Sequence, residues 1–134
     1  MPTLKEYFKN DHFAELIGAE LLEIRPGYGK ARLLVSQKHL NGVGTCQGGA
    51  IFTVADLAFA AAVNSHLTVT VSISATITYV RAAHEGYIYA EAVEKVDHYK
   101  LPYAEVTVTD EEGAVLAIFT ATGYRKKQQL DAEI

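Results

Sequence analysis

Residues 41–65 read NGVGTCQGGAIFTVADLAFAAAVNS. The stretch opens as a Gly-rich loop, Asn41 to Gly49, and becomes apolar almost all the way round from Ala50 to Val63. Ala and Leu favour helix, and Asn64-Ser65 provides a stop. The pattern predicts a helix from Gly48 to Asn64, about 25 Å long at 1.5 Å per residue. A helix apolar on every face belongs inside a protein. Asp56 is its one charge, and Thr53 the other polar residue in its middle. An ionised carboxylate in such surroundings costs several kcal/mol, on the order of magnitude known for buried ions, unless it is paired, bonded or wet. A helix that keeps one acid there points to a use for it.

The rest of the chain must enclose this helix. With 134 residues it can form one domain, residues 1–134, with a sizeable core. Apolar residues make up 49 % and charged residues 21 %, which excludes a disordered chain. A net charge of −4 argues against nucleic acid or an anionic membrane as the main partner. The apolar run is too short for a membrane span and carries Asp56. Cys46 is the only cysteine, so no intrachain disulfide forms. With no signal-peptide pattern at the N-terminus, a reducing, cytoplasmic setting is expected.

Outward from the helix, Thr68 to Tyr79 alternates without a break between apolar and small polar residues. Val69, Val71, Ile73, Ala75, Ile77 and Tyr79 are expected on one face of a long strand. Strands follow at Tyr87–Val96, from Tyr99 or Leu101 to Asp110, and at Ala114–Tyr124, the last pair joined by a DEEG turn. Residues 125–134 form a polar tail expected to fray. On the N-terminal side, Ala19–Ile24 and Lys30–Ser36 read as a hairpin, preceded by a helix over residues 3–17. The class is therefore α+β, with a long central helix wrapped by a curved, mainly antiparallel sheet of five to six strands. One sheet covers only one side of a helix. The side with Ala58, Ala61 and Ala62 is expected to be covered by a second subunit.

The pattern N-G-x-G-x-C-x-G-G, an Asp eight residues past the first Gly of the pair, and a Thr/Ser strand ending I-T-Y-x-R resemble the hotdog-fold thioesterases of the phenylacetate-pathway, PaaI-type family. The likeness runs from about residue 10 to 125. It implies hydrolysis of acyl-CoA thioesters, no metal or other cofactor, and homodimers that share active sites and pair into tetramers. By that resemblance Asp56 is the catalytic carboxylate and Gly48 the donor whose N–H polarises the thioester carbonyl. Asn41 helps hold substrate or water, and Ser72 orients water. Gln47 stands where the family usually has His, and Ala82 where it usually has Pro.

The residues support the same chemistry directly. The first N–H groups of a helix are free to receive oxyanion charge, and Gly48 and Gly49 leave room for close approach. The Asp56 carboxylate can attack directly or activate water as a general base. Gln47 and Gly49 are candidate substrate contacts, Phe59 and Tyr79 candidate pocket walls, and Arg81 a candidate partner for coenzyme A phosphates. Cys46 reads as a buried small residue rather than a nucleophile. His12, His39, His66, His84 and His98 show no metal-ligand spacing. Two other functions fit the same pattern: an acyl-CoA-binding module without turnover, and a dehydratase of this fold. Asp56 speaks against the first, and the absence of a His at position 47 against the second.

Overall fold

The computed structural model describes residues 1–134. The central helix, α3, runs Gly48–Asn64, as the sequence predicts. Its side chains at Ala55, Ala58, Ala61 and Ala62 are fully buried. Their cover is the chain's own sheet, which corrects the expectation that the alanine side needs a second subunit. Strand β2 (Tyr28–Val35) makes this possible through Gly29. A Cβ built at Gly29 would lie 2.5 Å from the Ala58 carbonyl oxygen and 2.9 Å from the Ala61 Cβ. Small residues on both elements let helix and strand backbones approach closely.

The sheet has six strands in the order β1-β2-β4-β5-β6-β3. Besides β2 these are β1 (Glu20–Arg25), β3 (Thr68–Tyr79), β4 (Gly86–Val96), β5 (Tyr103–Asp110) and β6 (Val115–Gln129). Every neighbouring pair is antiparallel. Inward residues of β2, β4, β5 and β6, among them Leu33, Ile88, Val106 and Phe119, form one core with the helix. A sheet wrapped this far round leaves one stripe of α3 half-open: Gly49, Phe52, Thr53, Asp56 and Ala60. The lone acid lies in the middle of that stripe.

The long alternating strand has the predicted ends but not the predicted faces. Its register against β6 shifts between Ser72 and Ser74, which leaves Ile73 as an extra residue. A one-residue bulge exchanges the faces beyond it. Ala75, Ile77 and Tyr79 pair with Ala121, Phe119 and Ala117, and so share the helix side. Before the bulge that side carries Thr70 and Ser72, while Val71 lies with Tyr124 on the other side. Strand β3 is also a sheet edge, and most of its residues are exposed, Ile73 at 57% and Tyr79 at 47%.

Both ends of the chain differ from expectation. Residues 3–17 form two short helices, α1 (Leu4–Tyr7) and α2 (His12–Ile17), rather than one. Asp11 is extended and caps α2 by accepting from the Ala14 N–H, which interrupts the helix. The C-terminal tail is pinned rather than frayed. Strand β6 continues to Gln129, and Leu130 and Ala132 are buried with Leu4.

The close approach at Gly29 has a measurable consequence. Gly29→Ala should lower stability by about 1–3 kcal/mol, the usual cost of overpacking. Gly42→Ala, whose Cβ would meet nothing within 4 Å, should be close to neutral. Chemical denaturation of both variants checks this, and an unchanged midpoint for Gly29→Ala would contradict the packing.

Candidate active site

The N-terminus of α3 is held by a loop with few free groups. Asn41 accepts from the Val43 and Thr45 N–H groups (3.0 and 3.1 Å), and its Nδ2 donates to the Thr45 hydroxyl (3.0 Å). Its side chain thus braces the loop, with one amide hydrogen to spare. The Gln47 N–H donates to the His39 carbonyl (2.7 Å), and the Cys46 N–H to the Ala83 carbonyl (2.8 Å). His39 is itself buried: Nδ1 accepts from the Ser36 N–H (3.0 Å), and Nε2 donates to the Ile17 carbonyl (2.6 Å). Gln47 is the cap of α3, its side-chain oxygen 3.5 Å from the Gly49 nitrogen.

Against this bracing, the Gly48 N–H has no partner within the chain. The Tyr79 hydroxyl donates to the Gly48 carbonyl (2.9 Å). A Cβ at Gly48 would stand 3.0 Å from the tyrosine ring, so glycine is what lets Tyr79 close over the helix end. Asn41, Gly48, Tyr79 and Arg81 together line a cleft of about 370 Å³, with Thr45 and Ile51. Arg81 spends one guanidinium N–H on the Val115 carbonyl (2.8 Å). This cleft unites four of the residues singled out in the sequence around one free amide.

Asp56 is elsewhere. It lies two turns further along α3, about 12 Å from Gly48 along the axis. Burial raises its carboxyl above the ordinary range, and the negative charge of Asp11 adds to the effect. No hydrogen bond within the chain opposes that shift. Asp11 as a neighbour was not legible in the sequence, where its one signal is that of a helix cap. Ser72 is on the helix side of β3, opposite Gly123, and exposed. Gly49 is exposed on the open stripe. Phe59 is corrected as a pocket wall: it is 1% exposed and packs against Phe119, with ring centroids 6.1 Å apart. Phe52, on the half-open stripe, packs edge-on to the same Phe119.

Two other groups of the chain bear on its chemistry. Cys46 is buried, and burial pushes its thiol up to about 11, so it stays protonated and is a poor nucleophile. His66, Glu94 and Asp97 place ligand atoms within 4.8 Å of one another, a grouping that sequence spacing does not reveal. Arg125 already supplies positive charge there, 2.8 Å from Asp97 and 3.5 Å from Glu94. That ion network suits an arginine better than a metal. A larger cavity, about 700 Å³, lies between the N-terminal helices, β1 and Leu57. It contains neither Gly48 nor Arg81, so the smaller cleft is the better candidate for the chemistry.

Comparison with known proteins gives the family. The model of the Thioesterase superfamily matches residues 43–117. A protein of Archaeoglobus fulgidus named as an esterase is 40% identical over 124 residues, which cover 91% of this chain and 80% of that one. The acyl-coenzyme A thioesterase PaaI of Escherichia coli is 26% identical over 119 residues, 88% of this chain and 85% of that one. The solved structure of the Escherichia coli PaaI protein superposes with a TM-score of 0.89 at 25% identity, over 93% of this chain and 91% of that one. A mutant of the phenylacetic acid degradation protein PaaI from Thermus thermophilus superposes at 0.83 with 33% identity, over 87% of this chain and all of that one.

The setting of Asp56 makes a prediction about stability. Its carboxyl titrates higher in the folded chain than in the unfolded one, where the value is about 3.9. The folded state therefore holds the proton longer. Stability falls as pH rises through the window between the two values, and the loss is complete above it. Asp56→Asn should thus raise Tm at pH 7, by about 4 °C for each kcal/mol relieved. The gain should shrink towards pH 3. Thermal melts at both pH values check this, and a lower Tm for Asp56→Asn at pH 7 would contradict it.

Proposed function

Because this chain belongs to the thioesterase superfamily and is a PaaI-type hotdog thioester hydrolase, we propose that its substrate is an acyl-CoA thioester, cleaved with Asp56 as the reactive carboxylate. The observation that carries this reading is the unpartnered Gly48 N–H in a cleft with Arg81, alongside an unbonded, half-buried acid on the same helix.

The thioester carbonyl oxygen accepts from the Gly48 N–H, which stabilises negative charge as the tetrahedral intermediate forms. Asp56 then acts in one of two ways. As a general base it takes a proton from water, whose hydroxyl attacks the carbonyl carbon. As a nucleophile it forms a mixed anhydride that water then hydrolyses. In both, the C–S bond breaks, the coenzyme A thiolate leaves and takes up a proton, and the free acid remains. Ser72, exposed on the helix side of β3, is the hydroxyl proposed to orient the water. Gln47 is compatible with this scheme because the oxyanion donor is backbone, and its side chain serves the helix cap. The acyl group is proposed to be aromatic or of short to medium length, with Tyr79 at the pocket entrance.

One chain does not bring Gly48 to Asp56. One carbonyl must sit about 3 Å from both the donor and the attacking group, and 12 Å or so of helix separates them. Two copies related by a two-fold axis solve this, since antiparallel helices set the N-terminus of one beside the middle of the other. The exposed edge of β3, with Val71, Ile73, Tyr79 and Val80 uncovered, is the surface proposed for that pairing. Such dimers are proposed to associate further as pairs. A single buried cysteine suits the reducing cytoplasm as the place of action.

A free-thiol release assay over a panel of aromatic, short and medium acyl-CoAs tests the activity. Asp56→Ala should lower kcat by about 10²-fold or more, the scale of general acid–base groups. Gln47→Ala should cost less than Asp56→Ala. Undiminished turnover by a folded Asp56→Ala protein would contradict the role of the acid. A greater loss at Gln47 would contradict the backbone donor.

A further inference from the structure

The half-open stripe of α3 carries a second polar side chain besides Asp56. Gly49, Thr53, Asp56 and Ala60 follow one another at spacings of four, three and four residues, so they share one face of the helix. The Thr53 hydroxyl donates to the Gly49 carbonyl (2.8 Å). In an α-helix that carbonyl already accepts from the N–H of the residue four further on. The side-chain bond therefore satisfies nothing that the helix leaves open, and bonds of this kind slightly destabilise helices. Thr is also a poorer helix former than the alanines that surround it in α3. Local structure gives no reason for a hydroxyl at this position.

The bond does fix what the hydroxyl can offer. A hydroxyl has one proton to donate and two lone pairs that accept. With its proton on the Gly49 carbonyl, Thr53 Oγ faces the stripe as an acceptor only. The ionised Asp56 carboxylate is an acceptor only as well, and no hydrogen bond within the chain reaches it. Helical Cα–Cβ bonds tilt towards the N-terminus, so the Asp56 side chain leans over the turn that carries Phe52 and Thr53. At this spacing the Cβ atoms of Thr53 and Asp56 are about 5–6 Å apart. Two acceptors side by side, with no donor of the chain between them, match a small molecule with two protons to donate. Water does so: two hydrogen bonds of about 2.8 Å at its bond angle span acceptors about 4–5 Å apart. Phe52, edge-on to Phe119 with ring centroids 5.2 Å apart, gives the stripe an apolar wall. Hydrogen bonds are stronger in such surroundings than in bulk water.

We propose that Thr53 holds the attacking water, accepting a hydrogen bond from one of its O–H groups while the Asp56 carboxylate of the same subunit removes the proton of the other. The inference rests on the thioesterase reading above and selects the general base from its two routes. As Asp56 takes the proton, the water oxygen bonds to the acyl carbon, and the C–S bond breaks. The proton on Asp56 passes to the departing thiolate. The second water hydrogen stays with the product carboxyl group, so Thr53 never changes its protonation. The hydroxyl proposed at Ser72 comes from β3. Thr53 comes from the helix that carries the acid, so its spacing to Asp56 does not depend on how the subunits pair.

Steady-state kinetics of Thr53 variants, on the acyl-CoA that wild type hydrolyses fastest, test this. Thr53→Val keeps the shape and removes the oxygen, and Thr53→Ala is the better helix former. Both should lower kcat about tenfold or more with KM nearly constant, since only the placement of the nucleophile is lost. Thr53→Ser should retain most of the activity. Thr53→Ala should melt no lower than wild type, which separates the effect from loss of fold. In an Asp56→Ala background the same substitutions should reduce kcat little further, because both groups act on one water. Wild-type kcat in Thr53→Val and Thr53→Ala would overturn the proposal. So would a loss that persists in full in the Asp56→Ala background, or a Thr53→Ser protein as impaired as Thr53→Ala. In each of those cases, loss of turnover in Asp56→Ala alone would still uphold the thioesterase reading. No hydrolysis of any acyl-CoA by the wild type would overturn that reading and this inference with it.

Discussion

Everything in this molecule follows from burying a helix that has almost no polar face. Six antiparallel strands wrap α3, and the wrap is tight only because Gly29 and the Ala58–Ala61–Ala62 surface let backbones approach at the middle. A single curved sheet still cannot close on itself. The stripe left half-open carries Asp56, and the longer of the two edge strands is β3. The two features that burial leaves unfinished, an acid without a hydrogen bond and a long strand paired on one side only, are the two that the proposed chemistry uses. Placing function where packing is incomplete costs stability, and the raised pKa of Asp56 is the local sign of that cost.

The N-terminal end of α3 shows the opposite strategy. There nearly every polar group of the preceding loop is satisfied, by Asn41, Gln47 and the buried His39. That leaves the Gly48 N–H as the group held in place yet free. A preorganised donor of this kind loses no reorganisation energy when charge develops on it. Asn41 is a brace of the loop that leads into Gly48.

Sequence alone carried the outline of this arrangement. Helix α3 and strand β3 begin and end where periodicity places them, because a continuous apolar run and an unbroken alternation are strong local signals. What could not be read was set by partners distant in the chain. The bulge at Ile73 lies within a perfect alternation, and only pairing with β6 exposes it. The alanine side of α3 looked uncovered because the glycine that admits it is on another element. Phe59 looked like a pocket wall because an aromatic on an all-apolar helix gives no hint of which face meets the core. The pinned tail, whose Leu130 packs on Leu4, depends likewise on contacts far apart in sequence. Asp56 and Gly48 stand out in the sequence as one acid in an apolar helix and a glycine pair at its start.

The central claim is that one active site takes Gly48 from one subunit and Asp56 from another. Subunit complementation tests it most directly. Asp56→Ala and Gly48→Ala proteins, the second with a methyl forced against Tyr79, are each to be assayed alone, then unfolded together, refolded as a mixture and assayed again. A mixed dimer built as proposed contains one site with both substitutions and one intact site. Random pairing should therefore restore up to about a quarter of wild-type activity. No recovery, with mixed dimers shown to be present, would mean that each site is made by a single chain, and the account of β3 and α3 given above would be wrong.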